Sequence, residues 1–192
     1  MATTLLIAIR ERLNLFASPT ADGSLSVGIG GDIPVFPPFV AISCVITGNL
    51  LMKRLGRKRF VGSYGYFPMN SLPVRIAFFL GIVSFALSMK AECDKALNAA
   101  GAEFNFTPVA GIATSGPYSV SRNPMYMALC LLPLGAAVLF DNAWILATWV
   151  MLPIYLHTIV VPAEERYLQR AHAAAYAAYA AATPRYLRMI PL

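Results

Sequence analysis

Four long apolar segments limit what this chain can fold into. Each has about 16 to 19 residues, at the short end of what crosses a hydrocarbon core of roughly 30 Å. The chain is 58% hydrophobic and only 12% charged, and a soluble domain of this size has no core large enough for so much apolar surface. Strand-type alternation is absent. The sequence therefore predicts an all-α, multi-pass integral membrane protein with about four transmembrane helices, over 35–52, 74–89, 124–140 and 143–161.

The basic residues are arranged for a membrane surface rather than for nucleic acid. The net charge is +6, but no basic stripe runs beside aromatic residues. Five basic residues follow the first apolar segment in one run, which is typical of a span flank that contacts lipid headgroups. We therefore expect membrane lipids as partners and no nucleic acid. The run comprises Lys53, Arg54, Arg57, Lys58 and Arg59.

The cysteines and histidines show no metal-binding pattern. Cys44, Cys93 and Cys130 are isolated, and no CxxC pair or Cys/His ligand spacing occurs. We expect three buried free thiols and no metal site. His157 lies inside the fourth apolar segment, where an ionisable group usually faces protein or a cavity. A neutral, hydrogen-bonded core histidine is the simpler interpretation of it.

The chain divides into an N-terminal segment, 1–33, and one membrane domain, 34–192. The first segment begins with an apolar stretch that Arg10, Glu11 and Arg12 interrupt, and it continues through a loop rich in Gly, Ser and Asp. This pattern predicts an interfacial helix or a disordered segment rather than a signal peptide. Within the membrane domain, the motif-bearing core is 104–187.

Helix-breaking and capping residues predict where the helices begin and end. Pro37 and Pro38 open the first span, because proline suits the first turn of a helix. The stretch 90–101 is more polar and compatible with a helix, and a loop then leads to the third span. Only Asp141 and Asn142 separate the third and fourth spans, which predicts a tight antiparallel hairpin with one of them as N-cap of the fourth helix.

The fourth helix is expected to continue out of the membrane as a cytosol-facing extension over 162–182. Its many alanines favour a helix. Thr183-Pro184 ends it, because the residue before a proline avoids the α region. Pro153 and Pro162 are the predicted kink positions in this long helix.

Most of the unusual polar residues lie at the two open ends of the hairpin, which share one membrane side. Arg122 and Asn123 precede the third span, and we expect them near Glu164 and Glu165, which follow the fourth. Such a pocket would be lined by a cation, an amide, phenols and carboxylates at headgroup level. On the helical extension, 100° per residue places one set of residues on a common face: Glu165, Leu168, His172, Tyr176 and Tyr179.

Each of these features also has a purely structural interpretation. Arg122 can reach toward lipid phosphates, and the two glutamates can form a solvated helix face. Tyr176 and Tyr179 can belong to an interfacial aromatic belt. Their convergence at one end of a hairpin is what favours a functional site.

Three motifs resemble those of the isoprenylcysteine carboxyl methyltransferase-like superfamily, which includes membrane phospholipid methyltransferases. They are TSGPYSVSRNPMY at 114–126, EERYL at 164–168, and a Tyr-x-x-Tyr helix followed by TPRYL at 183–187. The resemblance covers about 104–187, and FNFTP at 104–108 resembles the lead-in of bacterial members. It implies a methyltransferase that uses S-adenosyl-L-methionine and acts on a lipophilic small molecule, a lipid or a prenylated acceptor.

The resemblance also implies roles for individual residues. Arg122 would orient a carboxylate, and Glu164 or Glu165 would bind the cofactor's amino group or act as general base. Tyr118 or Tyr126 would face the sulfonium through a cation–π contact. The predicted catalytic residues are Arg122 and Glu165. The predicted cofactor-binding residues are Gly116, Tyr118, Arg122, Asn123, Tyr126 and Glu164.

Two departures from the family pattern concern the acceptor. Many members have histidine where this chain has Asn123, and the usual Phe-Gly pair of the helical extension is replaced by Ala171 and His172. The first weakens the case for a true prenylcysteine substrate, and the second can alter the acceptor cleft. The alternatives are a phospholipid amine N-methyltransferase and a non-catalytic membrane module that keeps the fold.

The predicted orientation contains a conflict. A cytosolic site would put the basic run that starts at Lys53 on the opposite side, against the positive-inside tendency. Three explanations stay open: the second segment does not fully cross, other features set the orientation, or the membrane is that of an organelle.

Overall fold

The computed structural model describes residues 35–56, 71–101 and 111–187, and this part of the chain is helical, with no strand. The predicted N-terminal segment 1–33 and the stretch 104–108 lie outside the described residues. The described part of the chain has four long helical segments, which we call rods. Three of them are uninterrupted helices: α1 is Pro37–Leu55, α2 is Leu72–Ala99 and α3 is Pro124–Phe140. A short 3-10 helix, Gly116–Ser119, precedes α3.

The fourth rod is assembled from several pieces. They are α4, Ala143–Trp149, then α5, Met151–Tyr155, a π-helical turn, Leu156–Val160, and α6, Val161–Ala171. Helix α7, Ala173–Ala182, follows it. Helices α1 and α2 and the rod Ala143–Ala171 are each long and apolar enough to cross a membrane, while α3 is apolar but has 17 residues.

The predicted helix ends agree with the structure at several positions. Pro37 stands in the first turn of α1. Asn142 is the N-cap of α4, and its side chain accepts a hydrogen bond from the backbone N–H of Trp144 at 3.1 Å. Asp141 instead ends α3 in the left-handed region, with φ of 47°. The extension ends at Thr183, as predicted.

Helix α1 runs antiparallel to the fourth rod. The amide of Asn142 donates to the carbonyl of Gly48 at 3.3 Å, and the hydroxyl of Thr148 donates to the carbonyl of Cys44 at 2.8 Å. The backbone N–H of Val35, just before α1, donates to the hydroxyl of Tyr155 at 3.1 Å. Helix α1 therefore lies along the first half of the fourth rod, from Asn142 to Tyr155.

Helix α2 runs antiparallel to α3. Gly135, near the end of α3, lies against Phe79 and Ile82 in the first half of α2. Ala96, near the end of α2, lies beside Gly116, which precedes α3. The starts of α1 and α3, the end of α2 and all of α6 therefore share one end of the bundle. We call it the Arg122 end; Lys53 and the start of α2 lie at the other.

Helix α2 is longer than the predicted span 74–89. It is a single helix of 28 residues, or about 42 Å at 1.5 Å per residue. No proline follows its first turn, and Gly101, whose φ is 68°, comes only after its end. Its last turns carry an i,i+4 ion pair between Lys90 and Asp94. The polar stretch is thus a continuation of the same helix, and the suggestion that this segment fails to cross finds no support.

Both predicted kink prolines coincide with interruptions of the fourth rod. Pro153 has no N–H for the carbonyl of Trp149, and the helix breaks at Val150. Pro162 likewise has no N–H to donate to the carbonyl four residues earlier. The N–H of Val161, the residue before it, donates to the carbonyl of Leu156, which is five residues earlier. The result is the π-helical turn.

The predicted continuous extension over 162–182 is interrupted at His172. This residue has φ of −138° and ψ of 41°, outside the helical region, and it separates α6 from α7. The single face predicted for this helix is therefore divided between two helices. Good helix formers stand on both sides, so tertiary contacts of α7 set the break rather than local propensity.

Candidate active site

The loop before α3 brings Tyr118 between α2 and α7. Gly116 has φ of +59°, a conformation that favours glycine. The hydroxyl of Tyr179 on α7 donates to the carbonyl of Tyr118 at 2.7 Å. Burial raises the pKa of Tyr118, with Cys93 of α2 as the next cause. The Tyr118 phenol is therefore neutral and a hydrogen-bond donor at any physiological pH.

Arg122 is held from two helices. Its Nη1 lies 3.2 Å from Oε1 of Glu165 on α6 and donates to the hydroxyl of Tyr176 on α7 at 3.0 Å. The guanidinium also lies 5.9 Å from the centre of the Tyr176 ring, within cation–π range. Only 15% of the Arg122 side chain and 18% of the Glu165 side chain are exposed, so solvent screens this ion pair weakly.

Glu165 also forms an ion pair with a second arginine, Arg185. Nε of Arg185 donates to its Oε1 at 3.1 Å, and Nη2 of Arg185 pairs with Oε2. This contact raises the pKa of Arg185 further above its ordinary value. Two guanidinium groups therefore share one carboxylate, and the cluster keeps one net positive charge. Such a cluster favours an anionic group nearby.

The segment 183–187 lies across the start of α3. The backbone N–H of Arg122 donates to the carbonyl of Pro184 at 2.9 Å. The amide of Asn123 donates to the carbonyl of Arg185 at 2.9 Å, and the hydroxyl of Ser121 lies 3.3 Å from the same oxygen. Asn123 is only 7% exposed. Its amide thus ties the C-terminal segment to the hairpin.

Glu164 has a different environment from its neighbour in sequence. The hydroxyl of Tyr126, on the first turns of α3, donates to its Oε1. Tyr126 is buried, at 7% exposure. Among the described residues, Glu164 forms no ion pair. The site therefore holds one carboxylate neutralised by arginines and a second that accepts from a phenol.

The phenols of α7 complete the wall around Arg122. Burial raises the pKa of Tyr179 to about 12, although the nearby Arg122 guanidinium opposes the shift. Burial likewise raises the pKa of Tyr176, and the charge of Glu165 adds to it. Both phenols are neutral donors at physiological pH.

One donor at the centre of the site has no partner. Nε of Arg122 is buried and makes no hydrogen bond within the described part of the chain. A buried donor left unpaired costs about 1–3 kcal/mol, and few occur in folded proteins. An anionic ligand group at this nitrogen would remove the cost.

The residues predicted for the site all lie at the Arg122 end. The structure joins Arg122 to Glu165 and Tyr126 to Glu164 by direct contacts, and their individual roles stay predictions. Sequence reasoning noted Arg185 within TPRYL but assigned it no role in the site. It also gave no role in the site to Ser121, which lies within the first motif, or to Cys93, which it expected only as a buried thiol.

Comparison with known families identifies the class of protein to which this chain belongs. Residues 74–175 match the family described as phospholipid methyltransferase, which is more than half of the 192 residues. The fold and the match define an integral membrane protein of the methyltransferase class. The chain belongs to the phospholipid methyltransferase family, within the superfamily that the motifs resemble. No curated protein and no solved structure matches the chain.

Proposed function

We propose that the chain transfers a methyl group from S-adenosyl-L-methionine to a lipophilic or membrane-partitioned acceptor. The observation that carries the proposal is the unpaired, buried Nε of Arg122, held between Glu165 and Tyr176 at one end of the bundle. The family implies methyl transfer, and methyltransferases of this kind generally use S-adenosyl-L-methionine.

The chemistry of the site fits this cofactor. The carboxylate of S-adenosyl-L-methionine suits the net positive Arg122–Glu165–Arg185 cluster and the unpaired Nε of Arg122. The amino group and the sulfonium of the cofactor suit the carboxylate of Glu164 and the faces of the Tyr118 and Tyr126 rings. When bound, the cofactor supplies an electrophilic methyl group on a sulfonium.

The remaining site residues would position and shelter these groups. Glu165 orients the Arg122 guanidinium from α6. Gly116 and Asn123 hold the loop and the C-terminal segment over the site, which keeps water away from it. Glu164 either binds the cofactor's amino group or accepts the proton of a neutral acceptor.

The acceptor class has two candidates. The resemblance to isoprenylcysteine carboxyl methyltransferases favours a lipophilic acceptor that enters from the bilayer between helices. The family match favours a phospholipid amine equally well. The position of the transferred methyl in the product distinguishes them.

The test is transfer of labelled methyl from S-adenosyl-L-methionine in membranes that contain the protein, with products separated into lipid, protein and volatile fractions. We expect label with wild type and its loss in Arg122→Ala and Glu165→Gln. Exposed residues provide matched controls, Arg170→Ala and Glu92→Gln, which should retain transfer. Absence of label from every fraction, together with no cofactor binding, would leave a non-catalytic membrane module.

A further inference from the structure

A cavity of about 430 Å³ lies between α3 and the fourth rod, directly beside the Tyr126–Glu164 pair. Its volume is within the usual range of small-molecule sites. Besides Tyr126, the described lining residues are Met127, Cys130, Pro153, Leu156, His157 and Tyr186. None of these is a lysine, arginine, aspartate or glutamate.

The polar feature of this apolar cavity is a pair formed by His157 and Tyr186. Nδ1 of His157 lies 3.1 Å from the hydroxyl of Tyr186, and the ring centres are 5.9 Å apart. His157 belongs to the π-helical turn before Pro162, and such turns are frequent at functional sites. His157 is exposed rather than buried in the core as the sequence predicted, so its ring is accessible to a molecule from outside the bundle.

Two lining residues, Tyr186 and Tyr126, connect this cavity with the polar site around Arg122. Tyr186 follows Arg185, whose guanidinium pairs with Glu165 and whose carbonyl accepts from Asn123. Tyr126 lines the cavity and also donates to Glu164. A molecule in the cavity would therefore reach the polar site past Tyr126.

We propose that this cavity binds the acceptor and that His157 and Tyr186 determine its class: a single-chain lipophile with an uncharged hydroxyl or thiol end. An imidazole and a phenol can donate to and accept from such an end. A phosphate would be desolvated here without a cation among the described lining residues. This inference rests on the proposed function, which it makes more specific.

A second cavity, of about 320 Å³, provides an internal comparison. It lies on the other side of Tyr126, between α1, α2 and α3, and Lys90 is among its lining residues. Lys90 also pairs with Asp94, but it gives this cavity a cation that the described lining of the first cavity lacks, so an anionic headgroup suits it better. The position of a bound probe therefore reports which chemistry the acceptor has.

The experiment uses the purified full chain in lipid nanodiscs without cofactor, and a long-chain alcohol that carries a photoactivatable diazirine. We expect cross-links at Met127, Cys130 or Pro153, and we expect unlabelled alcohol to compete better than a lysophospholipid of equal chain length. Cys130→Trp fills the cavity and should abolish these cross-links. Ile154→Trp places the same new side chain on the exposed side of α5 and should leave them unchanged.

The isosteric variant Tyr186→Phe tests the polar anchor without filling the cavity. Loss of one hydrogen bond should weaken alcohol competition about two- to tenfold. Cross-links confined to the Lys90 cavity, or equal competition by the lysophospholipid, would overturn the inference. Methyl transfer measured in parallel separates the two proposals. Transfer without labelling of the first cavity refutes only the inference, whereas labelling without transfer refutes the proposed function and leaves a cavity that binds a lipophile but no acceptor.

Discussion

At the scale of residues, the site depends on one carboxylate shared by two arginines. Glu165 contacts Arg122 and Arg185 from α6, so its loss leaves two partly buried cations facing each other. Removing one partner of a fully buried pair costs about 3–5 kcal/mol. The remaining exposure of these side chains, 15% to 34%, lowers the expected cost.

We predict that Glu165→Gln lowers the free energy of unfolding by about 1–3 kcal/mol, measured by denaturant unfolding in micelles. Arg185→Gln should restore part of this loss in the double variant, because it removes one of the two cations left without a carboxylate. A double variant whose loss equals the sum of the two single losses would show that the groups do not interact.

Much of this site could be predicted from sequence, because its members lie at the ends of a hairpin whose short link is visible. The proximity of Arg122 to Glu165 follows from that link alone. The different contacts of Glu164 and Glu165 could not be predicted, because adjacent residues on a helix point about 100° apart. Only packing decides which meets an arginine and which meets Tyr126.

At the scale of elements, α1 and α4 approach each other closely at Gly48. A Cβ added to Gly48 of α1 would lie 2.7 Å from backbone and side-chain atoms of Ile145 on α4. Backbone atoms cannot yield as a flexible side chain can, so the two rods would have to separate. Sequence predicted the rods but gave no sign of this contact, because a lone glycine within an apolar run has several explanations.

Gly48→Ala should therefore lower the unfolding free energy by about 1–3 kcal/mol. Gly81→Ala on α2 is the matched control: its Cβ would meet nothing within 4 Å, and alanine is the better helix former by about 1 kcal/mol. Thermal unfolding of both variants in the same detergent provides the comparison. Equal stability of the two variants would contradict the packing of α1 against α4.

The breaks in the helices show where sequence reasoning reaches its limit. Pro153 and Pro162 are visible signals, and each marks an interruption. The break at His172 has no such signal. It allows Tyr176 and Tyr179 to reach Arg122 and the carbonyl of Tyr118, contacts that local propensity does not encode.

At the scale of the whole molecule, both ends of the bundle carry basic residues. Lys53 lies at one end, and the site lies at the other. The Arg122 end is itself rich in basic side chains, so the run after α1 is not the only basic cluster that influences orientation. The described basic residues at the Arg122 end are Lys90, Lys95, Arg122, Arg166, Arg170 and Arg185.

The fold predicts that Lys53 and Lys95 lie on opposite membrane faces. We would introduce Lys53→Cys or Lys95→Cys into a chain whose native cysteines are replaced by alanine, and apply an impermeant maleimide to sealed vesicles. One variant should be labelled before permeabilisation and the other only afterwards. Labelling of both from one side would contradict the crossing of the membrane by α2, and the labelled side would give the orientation.

The most direct measurement of the central claim is equilibrium binding of S-adenosyl-L-methionine to the purified chain in nanodiscs. We predict saturable binding that Arg122→Ala weakens at least about tenfold, as expected for loss of a charged hydrogen bond of roughly 1.5–3 kcal/mol. Arg170→Ala changes an exposed arginine of α6 at the same end of the bundle and should bind as wild type does. No saturable binding by wild type, or equal binding by Arg122→Ala, would contradict the assignment of the Arg122 end as the cofactor site.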